Sequence, residues 1–114
     1  MKNVVLKENK YGQKIWVDEN EEIGRTIIAK GIYDEHAIYC IEKILQSLDS
    51  PVCLDIGANI GFFSLLAAKC VGASGKVIAF EPNPSTADIL EKNIALNGFK
   101  NILIASILRG KETS

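Results

Sequence analysis

Residues Cys53–Lys69 read CLDIGANIGFFSLLAAK. An apolar run carries Asp55 near its end, glycines follow at positions 57 and 61, and a longer apolar run comes next. The first run, VCLDI, is short, bounded by Pro51 and Gly57, and fits a buried strand. The second, from Ile60 to Val71, is long enough for a helix, which Gly72-Ala73-Ser74-Gly75 would end. The segment is a strand–turn–helix unit whose turn rests on glycine.

The pattern continues downstream. KVIAFE (76–81) reads as a second buried strand, PNPSTADILEKNIALNG (82–98) as a helix, and NILIA (101–105) as a third strand. Asn83 suits the N-cap, Pro84 the first helical position and Gly98 the C-terminal cap, while Ile89, Leu90, Ile94 and Leu96 form an apolar side. Strands that are apolar throughout, in the order β-α-β-α-β, predict a parallel sheet covered on both faces with right-handed crossovers. Upstream, Ile38, Ile41, Ile44, Leu45 and Leu48 recur at helical steps between Tyr33 and Leu48, after Asp34 and Glu35. NEEIGRTIIAKG (20–31) has acidic residues first and Lys30-Gly31 last, a short-helix signature. NVVLK and KIWVD, on either side of Gly12, predict a hairpin.

The totals bound the functional classes. At 114 residues the chain is one domain at most, and 47% apolar with 24% charged residues is ordinary for a soluble globular protein. A net charge of −1 offers no basic field for nucleic acid or an anionic membrane. No apolar run has the length of a secretory or membrane-spanning segment. Cys40, Cys53 and Cys70 lie in apolar segments at spacings that match neither a metal knuckle nor a redox pair, so a structural role in a reducing cytoplasm is expected. The acidic residues are scattered without histidine partners, so no metal site is expected. The sole histidine, His36, reads as a solvated helix residue, and Trp16 and the phenylalanines as packing groups.

The glycine turn points to a nucleoside cofactor. Gly57 lets the chain leave its strand sharply, and Gly61 permits close packing of the helix on the sheet. The helix start then offers free N–H groups and a positive dipole end. About twenty residues on, Glu81 ends the second strand, where a carboxylate accepts ribose hydroxyls. In the dinucleotide fingerprint a middle glycine lets pyrophosphate touch backbone. Asn59 occupies that position here. Its side chain crowds a diphosphate, and the Asp55 carboxylate repels one while suiting a cationic ligand. S-adenosylmethionine fits better than NAD.

With those residues in view, the chain resembles the FkbM-type branch of class I S-adenosylmethionine-dependent methyltransferases over roughly residues 31 to 105. DIGANIG, KVIAFEPNP and NIALNG carry the likeness, with GIYDEHAI upstream. The resemblance implies that Asp55, Gly57, Ala58, Asn59 and Gly61 line the methionine and ribose side. By the same resemblance Glu81 holds the ribose, Pro82 and Asn83 border the adenine, and Asp34 lies near the amino-acid tail. After Ala105 the chain departs from the family pattern, with Ser106, Ile107, Leu108 and Arg109 in place of an early small or acidic residue.

The expected fold class is α/β, a Rossmann-like parallel sheet holding the first three strands of a class I core, preceded by a hairpin and helix. Residues 1–50 form the lead-in and 51–114 a partial cofactor-binding domain. The full family core has seven strands, so the acceptor site would lie outside this sequence and the chain alone is expected to be inactive. In full-length form the resemblance implies O-methyl transfer to a small molecule such as a sugar or secondary metabolite, with neither nucleic acid nor membrane as partner. An absent neighbour beside VCLDI would leave an apolar edge open to self-association. The rival readings are an NAD-binding dehydrogenase domain and a truncated, non-catalytic remnant.

Overall fold

In the computed structural model, which describes residues 3–105, the chain opens with a hairpin. Strand β1 (Val4–Glu8) pairs antiparallel with β2 (Lys14–Asp18), and Gly12 takes the left-handed conformation at the turn. Helix α1 (Glu22–Lys30) ends on Gly31 at φ 75°, the C-terminal glycine its sequence promised. Helix α2 (Glu35–Gln46) is capped by Asp34, whose carboxylate accepts the Ala37 N–H. Then come β3 (Val52–Ile56), α3 (Phe62–Val71), β4 (Lys76–Phe80), α4 (Pro84–Leu96) and β5 (Ile102–Ala105). The three later strands form one parallel sheet in the order β3-β4-β5. Asn83 caps α4, Pro84 is its first residue and Gly98 follows its end at φ 69°, all as the sequence indicated.

Both crossovers step the same way across the sheet, and right-handedness then puts α3 and α4 on the same face. Val77, Ala79 and Ile102 are buried beneath them with Leu65, Leu66 and Leu90. The opposite face is bare among the described residues, which corrects the expectation of cover on both sides. In register, Leu54, Ile78 and Leu103 form one row and Ile56, Phe80 and Ala105 the next. Val52, Leu54, Ile56 and Leu103 are 62%, 58%, 72% and 55% exposed. The edge is open as well. Pro51 C=O accepts from Lys76 N–H and Gly57 N–H donates to Phe80 C=O, so the odd-numbered residues of β3 bond inward to β4. The backbone groups of Val52, Leu54 and Ile56 therefore point away from β4, where no described strand pairs. The stripe on α2 is also narrower than its spacing suggested: Ile38 and Leu45 are buried, whereas Ile44 and Leu48 are exposed.

Buried amides dock the hairpin onto the helices. Asn9 Nδ2 donates to Gln13 Oε1 at 2.8 Å, and Gln13 Nε2 donates to the Leu65 carbonyl of α3 at 2.9 Å. On α4, Asn97 accepts from Lys14 N–H at 2.9 Å and donates to Lys14 C=O at 2.7 Å. One turn earlier, Asn93 does the same for Trp16, at 2.7 and 3.1 Å. Four helical residues rise about 6 Å and two strand residues about 6.8 Å, so the two side chains stand in for a missing strand along β2.

At Gly61, the N-cap of α3, a side chain of α4 comes close. A Cβ there would lie 2.7 Å from Leu90 Cδ1, and its φ is 101°. The constraint thus comes from the neighbouring helix, and not from the sheet as the sequence reading had it. A Cβ on Gly57 would meet nothing within 4 Å, and only its φ of 75° is special. Gly61→Ala should cost about 2–4 kcal/mol and Gly57→Ala about 1–2 kcal/mol of stability. Urea midpoints giving equal losses would contradict this account of the turn.

Candidate functional site

The crevice lies at the carboxyl ends of β3 and β4, where open parallel sheets hold ligands. Three consecutive N–H groups of the turn bind the end of β4. Gly57 and Ala58 each donate to Phe80 C=O at 2.9 Å, and Asn59 donates to Glu81 Oε1 at 2.8 Å. The other oxygen, Glu81 Oε2, accepts Asn83 N–H at 3.1 Å. The half-buried carboxylate is thus fixed by one backbone donor per oxygen, and each oxygen keeps a lone pair for a further donor. Asn59 sits at φ 56°, a left-handed conformation that asparagine tolerates better than most residues. Open space at Gly57 and a carboxylate held in one orientation are features that a ribose-bearing cofactor requires, and the residues present fit one.

Asp55 ends up half-buried beneath this turn. Its Oδ2 accepts the hydroxyl of Ser64, a fully buried residue of α3, at 2.6 Å. Burial pushes the Asp55 carboxyl above its ordinary range, the Ser64 hydrogen bond opposes that, and the nearby Glu81 charge adds to it. Asp55 therefore does not cap α3. The N-cap is Gly61, which supplies no side-chain acceptor, so the first N–H groups of α3 lack a side-chain cap.

The remaining expected site residues are placed as follows. Asn83 Oδ1 caps α4 by accepting from Ser85 N–H and Thr86 N–H, so its side chain is committed while its N–H serves Glu81. Pro82 is exposed between them. Asp34 sits at φ 60° with its carboxylate engaged as a cap. Its neighbour Tyr33 meets the Phe63 ring edge-on at 6.3 Å, which brings the start of α2 to the start of α3. Phe62 is fully buried, and Phe63 is the ring left partly open. Positions 106–109, where the chain departs from the family pattern, lie outside the described residues.

A cleft of about 500 Å³ adjoins Glu81 and is lined by Asn59, Ile60, Asn83 and, from the hairpin side, Asp18 and Glu21. Local patterns around Asp18 and Glu21 carry no sign of this, because the docking that brings them there is made by amides far along the chain. Ser64 had a signal: a serine inside an otherwise apolar helix needs a buried partner. Burial pushes the Cys53 and Cys70 thiols above their ordinary range, whereas Cys40 is exposed on α2. Among the described residues no helix is long and apolar enough to cross a membrane.

Comparison with known proteins gives a concordant picture. Residues 7–112 match the family model of the TRM5/TYW2 methyltransferase domain. Methyltransferase sdnD of Sordaria araneosa is 38% identical over 76 residues, which is 67% of this chain and 27% of that protein. Protein-L-isoaspartate O-methyltransferase 1 of Archaeoglobus fulgidus is 27% identical over 81 residues, 71% of this chain and 35% of its own length. Among solved structures, P. horikoshii TYW2 in complex with MeSAdo matches with a TM-score of 0.61 at 24% identity, covering 93% of this chain and 36% of that one. M. jannaschii TYW2 in complex with AdoMet gives a TM-score of 0.61 at 24% identity, with 91% and 43% covered. The chain spans about a quarter to two-fifths of the length of these relatives.

A carboxylate raised by burial makes the folded state bind a proton more readily than the unfolded one. The ionised form then costs stability above the raised folded pKa, and the cost vanishes as pH falls below the unfolded value near 3.8. Asp55→Asn keeps an oxygen for Ser64, so it should raise the melting temperature at neutral pH. That gain should fade on acidification through the raised pKa. A variant less stable than wild type at pH 7 would refute the burial argument.

Proposed function

This chain belongs to the TRM5/TYW2 methyltransferase domain family, and from that premise we propose that it forms the S-adenosylmethionine-binding core of a methyltransferase. The FkbM-type likeness of DIGANIG, KVIAFEPNP and NIALNG remains a likeness of motifs. The observation that carries the proposal is the Glu81 carboxylate, pinned by Asn59 and Asn83 N–H groups beside a turn with open space at Gly57.

When bound, S-adenosylmethionine would supply an electrophilic methyl carbon on its sulfonium, to which an acceptor bonds while the neutral thioether departs. The chain's own residues bind and orient. Glu81 accepts the ribose hydroxyls with its free lone pairs, since it is already held in place and loses little freedom on binding. Gly57 and Ala58 keep the wall low at the turn. Asp55 contributes a negative charge that favours a cation and opposes a diphosphate. Pro82 and Asn83 border the adenine, and the start of α2 at Asp34 lies toward the amino-acid end. In the whole protein we take the acceptor to be an oxygen of a small molecule; the O-methyltransferase among the relatives supports transfer to oxygen, though its own named acceptor is a protein L-isoaspartate. A reducing, cytoplasmic setting suits the three free thiols.

Isothermal titration should show heat with S-adenosylmethionine and S-adenosylhomocysteine and none with NAD. Glu81→Ala should weaken the adenosyl ligands by about 1–3 kcal/mol. Heat from NAD with silence from S-adenosylmethionine would replace this reading by the dehydrogenase one. The bare face and open edge of β3 also lead us to propose that this chain by itself self-associates. Sedimentation should then reveal dimers or larger species at micromolar concentration, reduced by Leu54→Glu. A wild-type monomer at every concentration would end that proposal.

A further inference from the structure

Asn93 is one of the few fully buried polar residues, and it does more than clamp the hairpin. Its Oδ1 accepts Trp16 N–H at 2.7 Å, and its Nδ2 donates both to Trp16 C=O at 3.1 Å and to Ile60 C=O at 2.7 Å. Ile60 belongs to the glycine turn and follows Asn59, the residue whose N–H holds Glu81. The turn is therefore gripped from two sides, by Glu81 at the Asn59 N–H and by Asn93 at the Ile60 carbonyl. We propose that Asn93 is a positioning residue that couples docking of the N-terminal hairpin to the seating of the cofactor turn.

Three arguments lead there. Burying the amide is costly unless its hydrogen-bonding groups are used, and both N–H groups of Asn93 are spent on different elements. Ile60 is itself buried, so its carbonyl has little water to turn to if Asn93 is removed. Gly61, the next residue, sits at φ 101° against Leu90, so the peptide between Ile60 and Gly61 has little room to find another partner. Displacing the hairpin would free Trp16 from Asn93, release the amide to rotate, and loosen Ile60 and with it the Asn59–Glu81 contact. The coupling rests on the proposed cofactor reading for its functional meaning, but its structural content can be measured without a ligand.

The molecule holds its own control in Asn97. It clamps Lys14 as Asn93 clamps Trp16, but its remaining N–H turns to Asn93 C=O within α4 and not to the turn. Asn97→Ala should loosen the Lys14 end of the hairpin while Asn93 still holds both Trp16 and Ile60, so only Asn93→Ala should break the link and disturb the turn. In the ligand-free chain, Asn93→Ala should speed hydrogen exchange at the Asn59 amide by about tenfold or more, the loss of one buried hydrogen bond, and Asn97→Ala should leave it unchanged. Equal acceleration in both variants would mean that the turn follows hairpin docking without Asn93 as the link, and would overturn its role as the positioning residue. With S-adenosylmethionine as probe, the dissociation constant should rise about tenfold in Asn93→Ala and stay near wild type in Asn97→Ala. A wild-type chain that binds none of this probe would sink the cofactor reading, while the exchange comparison would still decide the coupling. If Asn93→Ala does not fold, native-state exchange of the wild-type chain under rising urea settles the matter: the Asn59 and Trp16 amides should open together, and separate openings would overturn the proposal.

Discussion

Three successive peptide N–H groups, at Gly57, Ala58 and Asn59, reach across to the end of β4 and bond to the Phe80 carbonyl and the Glu81 carboxylate. This nest between two neighbouring strands is the constraint on which the rest of the site depends. It forces left-handed geometry at Gly57 and Asn59, sets where α3 begins, and fixes the Glu81 carboxylate at the crevice. The order β3-β4-β5 is what brings the two strand ends side by side. A chain with the same turn but a different strand neighbour would have no carboxylate at this place. Turn and distant acid are two halves of one hydrogen-bonded object.

Much of this was written in the local sequence, and the pieces that were not share a cause. Strand and helix positions followed from runs, caps and glycines, because Asn83, Pro84, Gly31 and Gly98 act within a turn of where they stand. That the glycine turn meets Glu81 was legible because a strand–turn–helix unit leads to the next strand end by a fixed route. The reading failed where burial is decided by elements far away. Ile44 and Leu48 belong to the apolar stripe read over residues 33–48, yet α2 stops at Gln46 and nothing among the described residues covers them. The far face of the sheet is apolar and bare for the same reason. The neighbour of Gly61 proved to be Leu90 on another helix, a distance that spacing alone does not encode. Asn93 and Asn97 appeared only as parts of a motif, and their use as a substitute strand depends on where β2 lies.

Asp55 shows how a site and a fold can pull in opposite directions. A buried carboxylate costs stability, and the Ser64 hydroxyl recovers only part of that cost. Its retention beneath the turn makes sense if a negative charge there is useful to a ligand. Glu81 is treated differently by the fold: two backbone donors hold it, one on each oxygen. One half-buried acid is held by a buried hydroxyl, the other by the backbone.

The amide ladder has a consequence for how the molecule assembles. Each parallel strand joins its sheet neighbour through a single intervening helix, so the sheet closes short loops and can form early. The contacts of Trp16 with Asn93 and of Lys14 with Asn97 span 77 and 83 residues. They close the longest loops described here, and they require α4 to be already wound for its two amides to align. The hairpin thus precedes α4 in the chain, yet it can make these contacts only once α4 has formed.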